Sequence, residues 1–248
     1  MTRLVARAAG LALAALVVAA PASAQIVSSF QVGAGGFFPR GYTARVDNDV
    51  LVRDLDGAPL AGTTDTDALA FRIGDFKSFH AFAEYNVGVG PHLEFGLGVG
   101  RYGRTVPTVY RDVTEQPSNR EIEQELSMRV VPVTFIARFL PFGDPSGLQP
   151  YIGIGVASLN YRYTESGDFV DSDTLAIFRD TFRAKGTTMG GVLTGGLRVP
   201  INGDIYALTL DGRYIYGVGD TGGTSAGFLA DRIDLSGGMF NVGFIVRF

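Results

Sequence analysis

Phe240-Asn241-Val242-Gly243-Phe244-Ile245-Val246-Arg247-Phe248 closes the chain and decides how the rest is read. Phe240, Val242, Phe244, Val246 and Phe248 occupy every second position, with Asn241, Gly243 and Arg247 between them. A period of two is the signature of a β-strand, whose side chains alternate between its faces. One face here is apolar and aromatic, while the other carries small, polar or charged groups. A strand with large apolar residues on one side and glycines and charges on the other suits the wall of a barrel in lipid.

Seven earlier segments repeat the pattern, giving eight predicted strands over 30–38, 78–87, 93–102, 126–140, 151–163, 187–199, 205–216 and 233–248. In the third, Leu93, Phe95, Leu97 and Val99 oppose Glu94, Gly96, Gly98 and Gly100. In the fourth, Val131, Val133, Phe135, Ala137 and Phe139 oppose Pro132, Thr134 and Arg138; in the seventh, Leu208, Leu210, Tyr214 and Tyr216 oppose Thr209, Asp211 and Arg213. Short turns are expected over 88–92, 141–149 and 200–204, and long loops over 39–77, 103–125, 164–186 and 217–232. This alternation predicts an all-β fold: a transmembrane, antiparallel, up-and-down β-barrel with short periplasmic turns and long extracellular loops. Eight strands are expected, with ten as the alternative, because 42–46 and 50–53 flank Asp47-Asn48-Asp49 as a hairpin would. A soluble sandwich has no reason to alternate its loop lengths and would expose its edges.

Composition agrees. The 248 residues include 34 Gly, 18 Phe and 10 Tyr but no Trp and no Cys, which excludes disulfides, thiolate metal sites and a lipidated cysteine. Arg3 and Arg7, the apolar run 8–20 and Ala22-Ser23-Ala24 predict a cleaved secretory signal peptide over 1–24, leaving 25–248 as one barrel domain. Beyond that run no stretch offers about 18 consecutive apolar residues for a helical span. Removal of Arg3 and Arg7 leaves 19 basic against 25 acidic residues, a net charge of −6, which offers no basic face to nucleic acid.

The inward face predicts a charge network. With the turn over 88–92 centred on Val89, Glu84 opposes Glu94, Phe82 opposes Gly96 and His80 opposes Gly98. Two such carboxylates need cations in a poorly solvated lumen, and Arg138, Arg198 and Arg247 point inward near the same periplasmic ends, with Asp211 and Arg213 one layer above. An eight-stranded barrel is just wide enough for its side chains to fill, so this network is expected to plug it. Phe37, Phe38, Tyr85, Phe139, Phe142, Tyr151 and Tyr206 are expected in the interfacial aromatic girdles.

Asn241, Gly243, Phe244, Val246 and Phe248 resemble the β-signal of outer-membrane barrels, which implies the barrel-assembly machinery as a partner during biogenesis. With Val131-Pro132-Val133-Thr134, the segment 150–156 and Leu210-Asp211-Gly212-Arg213-Tyr214, the mature chain resembles the small outer-membrane β-barrel superfamily of OmpA-type and OmpX-type proteins. That resemblance implies the outer membrane of a Gram-negative-type bacterium, reached by secretory export, with outer-membrane lipid and lipopolysaccharide as surroundings. No periplasmic peptidoglycan-binding domain follows Phe248 in this sequence, so a cell-wall tether is not implied.

Enzyme and metal readings are weaker. Ser78, His80 and Glu84 share a strand face, but at about 3.3 Å per residue His80 and Glu84 stand roughly 13 Å apart, too far for a catalytic relay. Asp47, Asp49, Asp54 and Asp56, and separately Asp171 and Asp173, offer hard oxygen ligands without an EF-hand spacing, and solvated loops account for them. No cofactor is expected. The sequence therefore predicts a non-enzymatic barrel with an envelope-structural or surface-interaction role. The alternative is a narrow channel for small hydrophobic molecules resembling the OmpW type, with a lipid-A-modifying enzyme least favoured.

Overall fold

The computed structural model describes residues 26–143, 147–202 and 205–248. The signal peptide expected over 1–24 lies outside the described residues, as do parts of the turns expected over 141–149 and 200–204. Eight antiparallel strands close a barrel: β1 (Ile26–Pro39), β2 (Ser78–Val89), β3 (Leu93–Glu115), β4 (Arg120–Phe139), β5 (Gln149–Val170), β6 (Ile177–Asn202), β7 (Tyr206–Tyr216) and β10 (Gly237–Arg247). Each pairs with its sequence neighbour, and β10 closes on β1. Two short strands, β8 (Val218–Asp220) and β9 (Arg232–Asp234), pair with each other in the last extracellular loop, outside the barrel. The barrel therefore has eight strands, not ten.

The alternation sorts the side chains as the period of two requires. Outward positions carry Phe30, Val32, Leu97, Val99, Phe135, Ile152, Ile154, Leu193, Leu208, Leu210, Phe240 and Val242, all exposed, while polar and glycine positions face the lumen. Exposed apolar rows on every strand are the lipid-facing belt of a transmembrane barrel. No helix among the described residues is long and apolar enough to cross a membrane.

Four expectations need correction. The hairpin expected over 42–53 is instead a 3-10 turn (Tyr42–Ala44) followed by helix α1 (Val50–Asp56). Asn48 takes a positive φ of 59°, Asp49 caps α1 by accepting from the Leu51 amide at 2.9 Å, and Gly57 ends it at φ +68°. The loops expected over 103–125 and 164–186 are mostly strand, because Val106, Thr108, Tyr110, Ile122, Gln124 and Leu126 keep alternating inward and carry the wall beyond the bilayer.

The register of β2 on β3 is displaced as well. The hairpin centres on Pro91, with Gly90 at φ +68°, so Val89 pairs with Leu93 and Glu84 opposes Gly98, not Glu94. Phe82 then opposes Gly100, and His80 opposes Tyr102. Finally, Phe37 and Tyr151 are only 5% and 3% exposed and point inward, so they do not belong to the girdle.

Candidate functional site: the filled lumen and its cap

Six of the expected charged residues form one ladder across the periplasmic half of the lumen. Arg198 on β6 grips Glu94 on β3 with two hydrogen bonds, of 2.8 and 2.5 Å. Arg138, the cross-strand partner of Glu94, lies 3.2 Å from it and reaches Glu84 at 2.5 Å. Glu84 meets Arg213 at 3.3 Å, and Arg213 meets Asp211 at 3.3 Å. Signs alternate along Arg198, Glu94, Arg138, Glu84, Arg213 and Asp211, and each residue is at most 7% exposed. Three charges of each sign cancel, as burial in a low dielectric demands. Arg247 sits at the periplasmic rim, donating to Gln149 Oε1 at 2.5 Å.

The displaced register explains the spacing of the ladder. Glu94 stands across from Gly88 while Glu84 lies four residues further up β2, so the two carboxylates do not face each other and Arg138 spans between them. A Cβ on Gly96 would fall 2.7 Å from Arg138 Nη1 and 2.6 Å from Asn86 Oδ1. The glycine face of β3 thus makes the room that the guanidinium fills.

Several neutral residues complete the layer. Asp211 accepts from Tyr151 and from Thr194, each at 2.7 Å, and Arg138 donates to Asn86 at 2.8 Å. The guanidinium of Arg198 lies 5.0 Å from the Tyr151 ring centre, and that of Arg213 lies 4.9 Å from Phe82. Among the residues of the expected assembly signal, Asn241 faces the lumen and donates to Asp211 at 3.3 Å, with His80 Nδ1 3.3 Å from its carbonyl. A Cβ on Gly243 would meet Thr209 Oγ1 at 2.6 Å. Phe244 and Phe248 point outward, Phe248 being 73% exposed, while Val246 is half-buried at the barrel end. The parity of Tyr151 with Gly153 and Gly155, both on the lumen face, is the sequence signal that could have placed it inside.

The extracellular half of the lumen is filled differently. Val50, Leu51, Leu60, Leu69, Phe71, Ile73 and Phe76 of the first loop join Val106, Leu126, Met128, Leu159 and Val192 of the wall, and Phe228, Ile233 and Leu235 of the last loop, in one apolar core. The two loops are fastened together over it. Arg45 donates to Asp49 at 2.7 Å and to the Asp234 carbonyl at 2.8 Å, and the Asp234 amide donates to Asp49 at 3.1 Å. Tyr102 of the wall donates to the Phe76 carbonyl at 2.5 Å. The first loop follows no single period, and the hairpin expected over 42–53 gives no sign of this docked cap.

Where α1 meets β5, above the membrane, Tyr163 donates to Asp54 at 3.3 Å, and the buried carboxyl of Glu165 belongs to the same cluster. Arg53, the nearest cation, is held by Asp67 through two bonds of 3.0 and 2.9 Å. Burial pushes the Glu165 carboxyl up to about 7, and burial with the charge of Glu165 raises Asp54. The unfolded chain releases the Glu165 proton near 4.5, so the folded cap holds a proton that the unfolded chain has lost between the two values. That contribution to stability is complete below about 4.5 and lost as pH rises through about 7. Proteolysis of the first loop is expected to accelerate from pH 5 to pH 8.5, and Glu165→Gln to flatten the response; an equal slope in the variant would contradict the assignment.

The enzymatic and metal candidates are spent elsewhere. Ser78 Oγ donates to the Gly103 carbonyl, not to His80, and Glu84 belongs to the ladder. His92 bonds the Leu140 carbonyl in the periplasmic turn. Asp49 caps α1, Asp56 accepts from Tyr42, and Asp171 accepts from the Thr174 amide and hydroxyl. Among the described residues no three His, Cys, Asp or Glu side chains converge.

No protein-family model matches the chain, and no curated protein matches it in sequence. Among solved structures, Neisserial surface protein A is 12% identical over 90% of this chain and 99% of its own, with a TM-score of 0.44. Outer membrane protein OprG from Pseudomonas aeruginosa is 13% identical over 91% and 97%, at 0.45. Ail, the attachment invasion locus protein of Yersinia pestis, crystallised with the heparin analogue sucrose octasulfate, is 11% identical over 90% and 99%, at 0.41. The chain is similar to these three structures at low identity, and its closed eight-stranded barrel is read from its own strand pairing.

Proposed function

We propose that this protein is a closed barrel of the outer membrane with an envelope-structural or surface-interaction role. The observation that carries the reading is double closure. The periplasmic half of the lumen is filled by the ladder from Arg198 to Asp211, and the extracellular half by an apolar core built from the first and last loops. Loops folded down and fastened by Arg45, Asp49 and Asp234 present a shaped surface to the exterior, which is what a surface contact uses.

The channel reading has one observation in its favour: the upper lumen is apolar, as a path for small hydrophobic molecules would be. Its space, however, is taken by the chain's own side chains. Uptake of a small hydrophobic dye by proteoliposomes separates the two. Closed barrels leave uptake equal to that of empty vesicles, and faster uptake would make the apolar upper half a route.

A further inference from the structure

Three cations stand in one row on the outer wall. Arg129 on β4 is the direct cross-strand partner of Arg162 on β5, which is the direct partner of Lys185 on β6. All three side chains are exposed. Like charges at directly opposed positions repel, and a sheet normally avoids them. Nor does the protein neutralise them: none of the three makes an ion pair or hydrogen bond among the described residues. Arg120, exposed like them, is paired with Glu115, and the half-buried Arg53 with Asp67. Arg101 on β3 and Arg183 on β6 flank the row, also exposed and without a carboxylate.

The height of the row identifies what meets it. At the periplasmic end the same three strands align Phe139, Ile152 and Gly195, ten residues below Arg129, Arg162 and Lys185. Ten residues at about 3.3 Å, on strands tilted by about 40°, rise roughly 25 Å, which is the height of a barrel's apolar band. Outward positions between the two rows carry no charge; they include Val133, Phe135, Ile154, Val156, Met189 and Leu193. The cations therefore sit where acyl chains end and lipid headgroups begin. A groove of about 490 Å³ opens at the row, with Asn160 and Thr187 beside the cations as neutral hydrogen-bonding groups.

We infer that Arg129, Arg162 and Lys185 form a binding site for the phosphorylated headgroup of an outer-leaflet lipid, whose acyl chains lie down the apolar wall beneath. The inference rests on the outer-membrane reading above. Phosphate relieves the cross-strand repulsion and engages guanidinium groups with charge-assisted hydrogen bonds. Each cation near an anionic lipid surface contributes roughly fivefold in affinity.

The test uses the mature protein refolded into phosphatidylcholine vesicles with added lipid A, either diphosphorylated or stripped of phosphate. Flotation reads insertion; lipid A retained per barrel after extraction in neutral detergent reads the site. The native barrel is expected to float and to retain the phosphorylated form at least about tenfold over the stripped form. The triple variant Arg129→Gln, Arg162→Gln, Lys185→Gln should float equally and lose the preference, while Arg72→Gln, in the first loop, keeps it. Millimolar inorganic phosphate should not displace the lipid. A barrel that inserts but retains both forms equally, or a triple variant that keeps the preference, overturns the site alone. Full displacement by inorganic phosphate overturns the lipid as occupant, and failure to float overturns the membrane reading with it.

Discussion

Replacing Arg138 with methionine is expected to lower the unfolding free energy of the refolded barrel by about 3–5 kcal/mol, the cost of removing one partner from a buried ionic group. Arg138 is the middle rung of the ladder, touching Glu84 at 2.5 Å, Glu94 at 3.2 Å and Asn86 at 2.8 Å. Its loss leaves Glu84 with Arg213 alone and Glu94 with Arg198 alone, and gives the layer a net negative charge in a medium that solvates it poorly. Adding Glu84→Gln removes that excess, so the double variant should be more stable than the sum of the two single losses predicts. Urea titration in detergent micelles reads all three. Losses that simply add would show that the two side chains do not interact, and a cost below about 1 kcal/mol for Arg138→Met would show that water reaches the layer.

Phe76→Ala is the second large effect, and it acts elsewhere. Phe76 is 0% exposed beneath the cap, with Phe71 edge-on at 6.0 Å. Deleting a buried phenyl ring costs about 3–5 kcal/mol. The cap is a satellite of the barrel, so the cost should appear as local opening: protease cleavage at Arg53, Arg72 and Lys77 rises steeply while the membrane strands stay protected. Phe79→Ala, three residues on but facing outward, should leave loop cleavage unchanged. Equal effects from the two would mean that the first loop is not docked.

The strand faces were legible in the sequence because a period of two leaves no freedom once one face is chosen. Glu84, Glu94, Arg138, Arg198, Asp211 and Arg213 were all placed inside on parity alone. Register was harder, because it depends on the turn centre. Gly90 and Pro91 set that centre two residues later than the reading on Val89, which moved the partner of Glu84 by four positions. The cap was not legible at all. Val50, Leu51, Leu60, Leu69 and Phe76 follow no single period, since they are buried by a fold-back against the wall and the last loop, not by a repeating face. Tyr151 and Phe37 were misplaced because aromatic type was weighed above the parity of their neighbours.

Closure is the central claim, and single-channel conductance of the mature protein in a planar bilayer tests it most directly. The ladder below and the apolar core above predict no discrete openings in neutral salt at moderate voltage. Steady stepwise conductance from the native protein would contradict the account and make the lumen charges the lining of a transport path.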